Sequence, residues 1–321
     1  MSAGRLPRTF QRPSGLLIPR VVDQLSYLYL DYTRIQQDRT GIQASMDTAE
    51  GTMTAYLPTA ALASVMLGPG TSITRDAVIT LARHGTSVVF VGSAGVRCYS
   101  TINGPSSTEL LLEMARIVSE PELRMKAARH MYQKRFAGEL PDTLTLAALR
   151  GLEGARMRAI YQSHAKRVHI KFRREYTPGD LSASDPVNAA LTAGNTALYG
   201  IVNAVLASLG IHSGLGIVHN GHSQALTFDI ADLYKAQTTI PLAFSLTQSA
   251  DPDGDVRKLL RKKLTLLRLI PTIVHDVYEL LGRAESRSPT ADPSMDDVDV
   301  VNLWDEATTT PSGRNYSPVD D

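Results

Sequence analysis

One segment of the sequence, "DPVNAALTAGNTALYGIVNAVLASLG" at residues 185–210, is apolar on nearly every side when it is read as a helix. Such a helix has no polar face for solvent, so other elements must cover all of its sides. The segment therefore predicts the central buried helix of a helical domain. No uninterrupted apolar run approaches the roughly 20 residues that span a bilayer, so no membrane association is expected.

The first hundred residues carry strand patterns. "LSYLYLDYTRI" and "SMDTAEGTMTAYLP" alternate and hold β-branched or aromatic residues between turn signals, and "ALASVMLGPG", "SVVFVG" and "GVRCYS" are typical of further strands. Between them, "TRDAVITLARHG" predicts one short helix with Thr74 as its N-cap and Gly85 at its end. This part is expected to form a mostly β domain.

Helical patterns follow "TINGPSS", with apolar residues three and four positions apart. Pro121 is expected to interrupt the first of these helices, and Asp142 to cap the next. A later helix is expected to open at Asp229 and to meet Pro241, and a basic helix to span residues 256–281. The sequence thus predicts an α+β protein with a disordered start (1–16), a β-rich domain (17–102), a mainly α-helical domain (103–283) and a disordered acidic tail (284–321).

The net charge of +1 conceals a division along the chain. Residues 291–321 hold eight acids and one arginine, a net charge of −7, which leaves +8 on the remainder. A basic body indicates a polyanion partner, which the tail would repel or mimic, although the tail also fits a solvated segment without a role. The clusters "KRVHIKFRRE" and "VRKLLRKKLTLLR" favour nucleic acid, while each alone also fits a solvated helix face.

Several kinds of site are not expected. Cys98 is the only cysteine, so an internal disulfide and a thiolate metal cluster are excluded, and a cytosolic setting fits. "GLGIVH" has His219 where the G-x-G-x-x-G motif needs its last glycine, and "VVFVGSAGVR" lacks the Walker spacing and lysine. No serine or cysteine nucleophile lies in a recognisable elbow.

The stretch "GIVHNGHSQALTFDIADLYK" combines an imidazole with two carboxylates. Asp229 and Asp232 are three residues apart and share a helix face, where one interpretation makes them a helix cap. The other makes them, with His219, ligands of a divalent metal, because imidazole and carboxylates suit Mn²⁺ or Mg²⁺. A zinc site that also uses His222 is conceivable, but the carboxylates favour a harder ion.

Glu153 is a candidate for a further acid. It lies in "LRGLEGARMR" between Gly151 and Gly154. One interpretation is a surface ion pair with Arg150 or Arg156. However, two glycines inside a helix cost roughly 1 kcal/mol each relative to alanine. Their absence of side chains would let another backbone or a nucleic-acid strand approach Glu153.

At these residues the sequence resembles a known family. "LRGLEGARMRAIY", "TALYGIVNAVL", "GIVHNGHSQALTFDIADLYK" and "VMLGPGTSITRDAVITLARHGTSVVFVGSAGVRCYS" are similar to the CRISPR-associated integrase of spacer acquisition, the first-numbered Cas protein family, in its type I-E-like branch. The resemblance covers roughly residues 18–282. It implies a β domain that makes a subunit interface and a helical catalytic domain with one divalent metal site.

The resemblance also implies roles for individual residues. Glu153, His219 and Asp232 would be the metal ligands, for Mg²⁺ or Mn²⁺, with Asp229 as an accessory acid close to the metal. Tyr199 and Tyr32 would lie near the active site and the DNA end. His222 stands where the family has a lysine, which would make a phosphate contact there pH-sensitive or remove it. The implied basic positions on the DNA path are Arg97, Lys235, Arg257 and Arg261.

The implied reaction is metal-assisted phosphoryl transfer, in which the 3′-hydroxyl of a captured DNA fragment attacks a phosphodiester in the CRISPR repeat. The expected partners are double-stranded DNA, a second copy of the chain in a homodimer, and the small second Cas adaptation protein, which bridges two dimers in the cytoplasm. Two alternatives remain: a metal-dependent nuclease for branched or repair intermediates without integration, and a non-catalytic DNA-binding scaffold whose acids only cap helices.

Overall fold

The computed structural model of the protein describes residues 27–49, 51–59, 62–92, 98–103, 108–175, 185–266, 269–283, 302–304 and 309–311. The strands are β1 (Tyr27–Leu30), β2 (Arg34–Gln37), β3 (Ile42–Thr48), β4 (Gly51–Leu57), β5 (Ser64–Leu67), β6 (Ser72–Ile73), β7 (Ser87–Val91), β8 (Cys98–Ile102), β9 (Asn302–Trp304) and β10 (Thr309–Pro311). The helices are α1 (Arg75–Arg83), α2 (Glu109–Ser119), α3 (Pro121–Gln133), α4 (Leu146–Arg167), α5 (Pro186–Ser208), α6 (Ala225–Asp232), α7 (Thr239–Phe244), α8 (Pro252–Leu266) and α9 (Leu269–Leu280).

Two four-stranded sheets form the N-terminal part. One has the strand order β1-β5-β7-β8, with β8 antiparallel to β7 and the other pairs parallel. The second has the order β4-β3-β2-β6, and β4 is an edge strand whose residues are almost all exposed. Ile35, Leu67 and Leu81 belong to a core that joins both sheets to α1. The α+β class predicted from the sequence is confirmed.

The strand pattern of "LSYLYLDYTRI" is confirmed, and the segment forms two strands that belong to different sheets. The chain leaves β1 and enters β2 through Tyr32, whose φ of 48° lies in the left-handed region. A Cβ on the neighbouring Gly70 would lie 2.5 Å from Tyr32 Cδ1, so a side chain at position 70 would displace the tyrosine ring. The alternating pattern could not reveal this change of sheet, since it continues through the turn.

Local signals predicted α1 and the start of α3 correctly. The side chain of Thr74 accepts a hydrogen bond from the amide of Ala77 at 3.4 Å, and Gly85 has a φ of 70° directly after the helix. Pro121 separates two helices and lies at the first position of α3, where its missing N–H costs nothing.

The helix α5 is the predicted central helix. It packs against α6, α7, α8 and α9 and also against β5, β7 and β8. Contrary to the expectation from apolar runs, its length and composition would suffice to cross a membrane, and it alone among the helices in the described ranges passes that test. However, 67% of the tested window is buried inside the protein, as the core position of α5 requires.

Other helix boundaries differ from the prediction. The N-cap of α4 is Thr145, whose hydroxyl accepts from Ala148 N, and not Asp142. The predicted basic helix at 256–281 corresponds to α8, which begins earlier at Pro252, and to α9; residues 267–268 between them lie outside the described residues. The tail predicted to be disordered contains an antiparallel pair, β9 with β10. The start at 1–16 lies outside the described residues.

The sheet and the helices share a core at the C-terminal end of α5. Ala204 and Ala207 of α5 pack with Met66 and Val89 of the first sheet. In the same region the Tyr27 hydroxyl and Ser208 Oγ lie 3.1 Å apart in a hydrogen bond. The two parts of the chain therefore meet through buried apolar contacts.

Candidate metal and nucleic-acid site

The loop before α6 is organised around one buried carboxylate. Asp229 has no exposed side-chain surface and lies within α6, one turn before the helix ends. Its Oδ2 accepts hydrogen bonds from the amides of Ile217 at 2.6 Å and Val218 at 3.0 Å. Its Oδ1 accepts from the amide of His219 at 3.1 Å and lies 2.7 Å from Nδ1 of the same residue. Four donors thus satisfy both oxygens.

The imidazole of His219 is hydrogen-bonded at Nδ1 and partly exposed to solvent. Its side chain is 44% exposed, and Nδ1 donates to Asp229. The hydrogen bond to Asp229 is the main cause that raises the pKa of His219 above its ordinary value; burial and the charge of Lys235 oppose it, and the charges of Asp229 and Asp232 support it. A carboxylate on one ring nitrogen fixes the tautomer and orientation of an imidazole and leaves the other nitrogen to bind a metal.

Asp232 is the last residue of α6 and pairs with Lys235, Oδ1 lying 2.5 Å from Nζ. The same ammonium lies 4.9 Å from the ring centroid of Tyr199 on α5. Burial opposes the charge of Lys235, but Asp232 and Tyr199 more than offset it, so the pKa of Lys235 lies above its ordinary value. Lys235 and Asp232 are near enough to His219 for their charges to act on the imidazole pKa.

The helix-cap interpretation of the two aspartates is wrong. The helix α6 begins after Gln224, so Asp229 cannot be its N-cap, and the Gln224 side chain makes no capping hydrogen bond. Asp232 lies at the C-terminal end, where a negative charge opposes the helix dipole. Its role in the structure is therefore the ion pair with Lys235 and not a cap.

An aromatic side chain connects these residues. Phe228 packs edge-on against Tyr199 at 5.0 Å between centroids and against His219 at 5.9 Å, and it contacts His222 at 5.0 Å.

Asp229, the expected accessory acid, lies on the Nδ1 side of the His219 imidazole. Both of its oxygens are occupied by hydrogen bonds from the loop at residues 217–219.

Glu153 forms the ion pair that the sequence left open as an alternative. Arg156, one turn along α4, donates Nε to Oε2 at 2.8 Å and Nη2 to Oε1 at 3.0 Å. Arg135 of the segment after α3 approaches Oε1 at 3.6 Å. No described atom lies within 4 Å of a Cβ built on Gly151, so the surface of α4 is open at that glycine, on a different face of the helix from Glu153.

The three expected metal ligands are not drawn together to coordination distance. Over the described ranges, one group of three ligand atoms lies within 4.8 Å, and it consists of His275, Asp276 and Glu279. The two carboxylates of that group are already paired with the ammonium of Lys134, whose Nζ lies 2.6 Å from Asp276 and 2.7 Å from Glu279.

The chemistry of the expected ligands fits a divalent cation. One imidazole nitrogen and two carboxylates suit Mg²⁺ or Mn²⁺, and the orientation of His219 by Asp229 is the arrangement found behind metal-binding histidines. Both carboxylates are paired with a basic residue three positions later on the chain, Arg156 and Lys235. If Glu153 and Asp232 are to bind a cation, these ion pairs would have to open.

His222 and Tyr32, two of the positions expected to contact DNA, are exposed. The Nδ1 atom of His222 accepts from the Gln224 amide at 3.0 Å, so the ring is oriented by its own turn. The side chain of Tyr32 is on the β domain, and the residue is 69% exposed.

The basic positions expected on the DNA path differ in what the structure shows. Arg257 lies on α8 near Asp253, at 3.6 Å, and its Nε is buried without a hydrogen-bond partner among the residues that the structure describes. Arg261 belongs to the same helix, while Arg97 lies outside the described residues.

Sequence reasoning did not identify several residues of this region. Arg124 on α3 donates to the carbonyls of Gly216 and Ile217, more than 90 residues away along the chain. Arg135 approaches Glu153, and Phe228 links three ring systems. These are tertiary contacts without a local motif, so spacing in the sequence offers no signal for them.

The chain is similar to proteins of one family. A profile described as "CRISPR associated protein Cas1" matches residues 131–255, a span that contains Glu153, His219 and Asp232. The "CRISPR-associated endonuclease Cas1" of Clostridium sp. (strain SY8519) is 36% identical over 307 residues, 94% of this chain and 98% of the relative. The protein of the same description from Escherichia coli (strain K12) is 32% identical over 84% of this chain and 90% of its own.

A solved structure agrees with this similarity. The structure described as "Crystal structure of TtCas1-DNA complex" is 36% identical to this chain and superposes with a TM-score of 0.69. The match covers 82% of this chain and 98% of the other.

Proposed function

This chain belongs to the Cas1 family, and from that membership we propose that it is a divalent-metal-dependent DNA integrase and endonuclease of CRISPR adaptation. The observation that carries the proposal is the presentation of His219. Its imidazole is oriented by a buried carboxylate, open to solvent at one side, and within electrostatic range of an aspartate that does not cap the helix.

The proposed ligands of Mg²⁺ or Mn²⁺ are Glu153, His219 and Asp232. When bound, the cation supplies Lewis-acid polarisation of a phosphodiester and stabilises the oxygen that leaves. Asp229 keeps the His219 tautomer that offers a ring nitrogen to the metal. Arg156 and Lys235 neutralise the two carboxylates until then, which limits their mutual repulsion.

The proposed reaction is a transesterification. The 3′-oxygen of a captured DNA fragment forms a bond to a phosphorus atom of the CRISPR repeat, and the bond from that phosphorus to a strand oxygen breaks. The attacking hydroxyl loses a proton and the departing oxygen gains one. With water as the nucleophile the same residues would perform hydrolysis, which is the endonuclease reaction named for the relatives.

Double-stranded DNA is the proposed substrate, and the similarity to a structure described as a TtCas1-DNA complex supports DNA as the ligand. Tyr199 and Lys235 border the proposed ligand Asp232, so they would contact the strand at the reacting phosphate. His222, on the rim of the same aromatic cluster, would offer a weaker contact than a lysine unless it is protonated. The further proposed DNA contacts are Tyr32, Arg97, Arg257 and Arg261.

We also propose that the protein acts as a cytoplasmic homodimer, two of which are bridged by the small second Cas adaptation protein. The β domain offers a surface of the right kind for a subunit interface. Strand β4 is an edge strand, and it exposes Met53 at 63% and Tyr56 at 57%. Exposed apolar side chains beside unpaired backbone groups favour contact with another chain.

The decisive experiment is an integration assay with the purified protein and its small partner. A fragment with free 3′-hydroxyls is mixed with a plasmid that bears the repeat, in Mg²⁺, Mn²⁺ or chelator. Joined product that requires metal and disappears in His219→Ala supports the proposal. His84→Ala is the matched control, since this exposed histidine ends α1 and should have no effect.

The alternatives give different products in the same assay. Cutting without joining would favour a nuclease that acts on branched or repair intermediates. DNA binding with neither cutting nor joining, unchanged by His219→Ala, would favour a non-catalytic scaffold and contradict the proposal.

A further inference from the structure

We propose that Arg124 is a positioning residue for His219 and that it acts through the peptide groups 216–217 and 217–218. This inference rests on the proposed function only in that His219 is taken as a metal ligand. Arg124 lies on α3, and the histidine loop precedes α6. Neither the sequence motifs nor the ion pairs of the site include it.

The contact is a fork on two successive carbonyls. Nε of Arg124 donates to the Ile217 carbonyl at 2.8 Å, and Nη2 donates to the Gly216 carbonyl at 3.1 Å. A guanidinium presents its donors in one rigid plane, so two such bonds fix the direction of both carbonyls. Bonds from a charged donor are also about twice as strong as neutral ones.

The same two peptide groups are held at their other ends by Asp229. The carbonyl of Gly216 and the amide of Ile217 belong to one peptide plane, and that amide donates to Asp229 Oδ2. The carbonyl of Ile217 and the amide of Val218 belong to the next, and that amide donates to the same oxygen. Each plane therefore has a cation at its carbonyl end and an anion at its amide end.

This arrangement couples Arg124 to the imidazole without direct contact. Peptide dipoles aligned between opposite charges resist rotation, because turning either plane breaks a charge-assisted bond at both ends. The next peptide group in the chain carries the His219 amide, which binds Oδ1 of Asp229. Rotation of the first two planes would move the histidine backbone and with it the ring.

The packing around the loop leaves little alternative space. A Cβ built on Gly216 would lie 2.3 Å from the His219 carbonyl oxygen and 2.5 Å from Ala225 Cβ. The loop is thus folded tightly onto itself and onto the start of α6. The side chains that pack α3 against the core include Ala127, Ala128 and Met131, so the packing of this helix does not depend on Arg124.

Arg129 on the same helix provides a matched control. Its one hydrogen bond within the described part of the chain goes to the Pro141 carbonyl, at 3.4 Å and in an exposed position. Arg124→Ala, Arg124→Lys and Arg129→Ala would be compared with the wild type by hydrogen exchange of the 214–224 segment and by calorimetric titration with Mn²⁺ alone. Thermal unfolding would verify that each variant is folded at the temperature of the titration.

We expect Arg124→Ala to speed exchange in that segment and to weaken Mn²⁺ binding by about tenfold, the usual effect of losing a residue that orients a metal ligand. Arg129→Ala should change neither. Arg124→Lys should recover part of the affinity, because lysine keeps the charge without the fork. Exchange and Mn²⁺ affinity equal to wild type in Arg124→Ala would overturn the inference.

The design separates this inference from the proposed function. If His219→Ala binds Mn²⁺ as well as the wild type, His219 is not a ligand and the proposed function fails. The exchange of the 214–224 segment still reports whether Arg124 holds the loop. If Arg124→Ala does not fold, the Arg124→Lys variant carries the comparison, and wild-type exchange and affinity there would contradict the need for a fork.

Discussion

The side chains of Asp229 and His219 meet at 2.7 Å between Oδ1 and Nδ1, with the carboxylate wholly buried and the imidazole 44% exposed. The buried partner also binds three consecutive backbone amides, of residues 217–219. One carboxylate therefore determines both the path of the loop and the orientation of the ring. This double role makes the charge of Asp229 more important than its shape.

Asp229→Asn tests that charge. Asparagine has nearly the same size but offers one acceptor oxygen and directs an NH₂ group at donors. We expect the free energy of unfolding to fall by about 3 kcal/mol, the cost of breaking a buried charged network. Urea denaturation measures it. Asp47→Asn, at an exposed hairpin position with one hydrogen bond from Thr52, should change stability very little; an equal effect of both variants would contradict the prediction.

Asp232→Ala should separate stability from metal binding. The aspartate is partly exposed, but its partner Lys235 is mostly buried, so we expect a loss of about 1 to 3 kcal/mol of stability that still leaves the variant folded at room temperature. Loss of a ligand should nevertheless weaken Mn²⁺ binding by more than about 100-fold, beyond the effect of losing an outer partner. Thermal unfolding and calorimetric titration measure the two quantities.

Glu113→Ala is the control for that experiment, because Glu113 forms a comparable i,i+3 pair with Arg116 away from the site. It should bind Mn²⁺ as the wild type does. Wild-type Mn²⁺ affinity in Asp232→Ala would remove Asp232 from the set of ligands.

Arg156→Gln should strengthen metal binding in the absence of DNA. The guanidinium forms two hydrogen bonds with Glu153, and a cation must compete with it for the same oxygens. An ion pair worth about 1 kcal/mol corresponds to an increase of about fivefold in Mn²⁺ affinity when it is removed. Arg158→Gln, an exposed residue on the same helix, is the control. Weaker binding in Arg156→Gln would show that the arginine supports the ligand instead of competing for it.

The β domain contains a carboxylate with its own pH dependence. Hydrogen bonds from the side chain and amide of Thr40, and from the Tyr56 hydroxyl, lower the pKa of Asp38 to about 2. Because the folded pKa lies below the ordinary value of 3.8, the contribution of Asp38 to stability is present above pH 4 and is lost as the pH falls toward 2.

Unfolding of wild type and Asp38→Asn as a function of pH measures this contribution. The wild type should be the more stable protein at pH 7, and the difference should shrink between pH 4 and 2. A difference that stays constant over this range would show that the native carboxylate does not titrate there. Tyr56→Phe removes one of the hydrogen bonds and should give an intermediate profile.

The sequence predictions were accurate where a structural feature is determined by residues that are neighbours along the chain. Thr74 caps α1 through its own first turn, and α5 is apolar all round, so both could be predicted. The start of α6 could not, because Gln224 makes no capping hydrogen bond, whereas Asp229 and Asp232 have the chemistry of a cap. The N-cap of α4 was placed three residues too early, at Asp142 instead of Thr145, because both residue types are acceptable N-caps.

The residues of the candidate site likewise fall into those that are close together in the sequence and those that are brought in by the fold. His219, Asp229 and Asp232 lie within 14 residues and were expected to act together, and the first two do so directly. Arg124 reaches the loop from a helix more than 90 residues earlier, which no spacing rule encodes. Long-range contacts of this kind follow from how the helices pack, and that packing becomes known only with the fold.

The helix α5 has a consequence for how the protein responds to whatever binds its β domain. Tyr199, in the site, and Ser208, which bonds Tyr27 of the sheet, lie nine residues apart on this helix, about 14 Å along its axis. The helix is rigid over that distance and its end is fixed in the shared core. Docking of the β domain on another surface would therefore also orient Tyr199 and the candidate site around it.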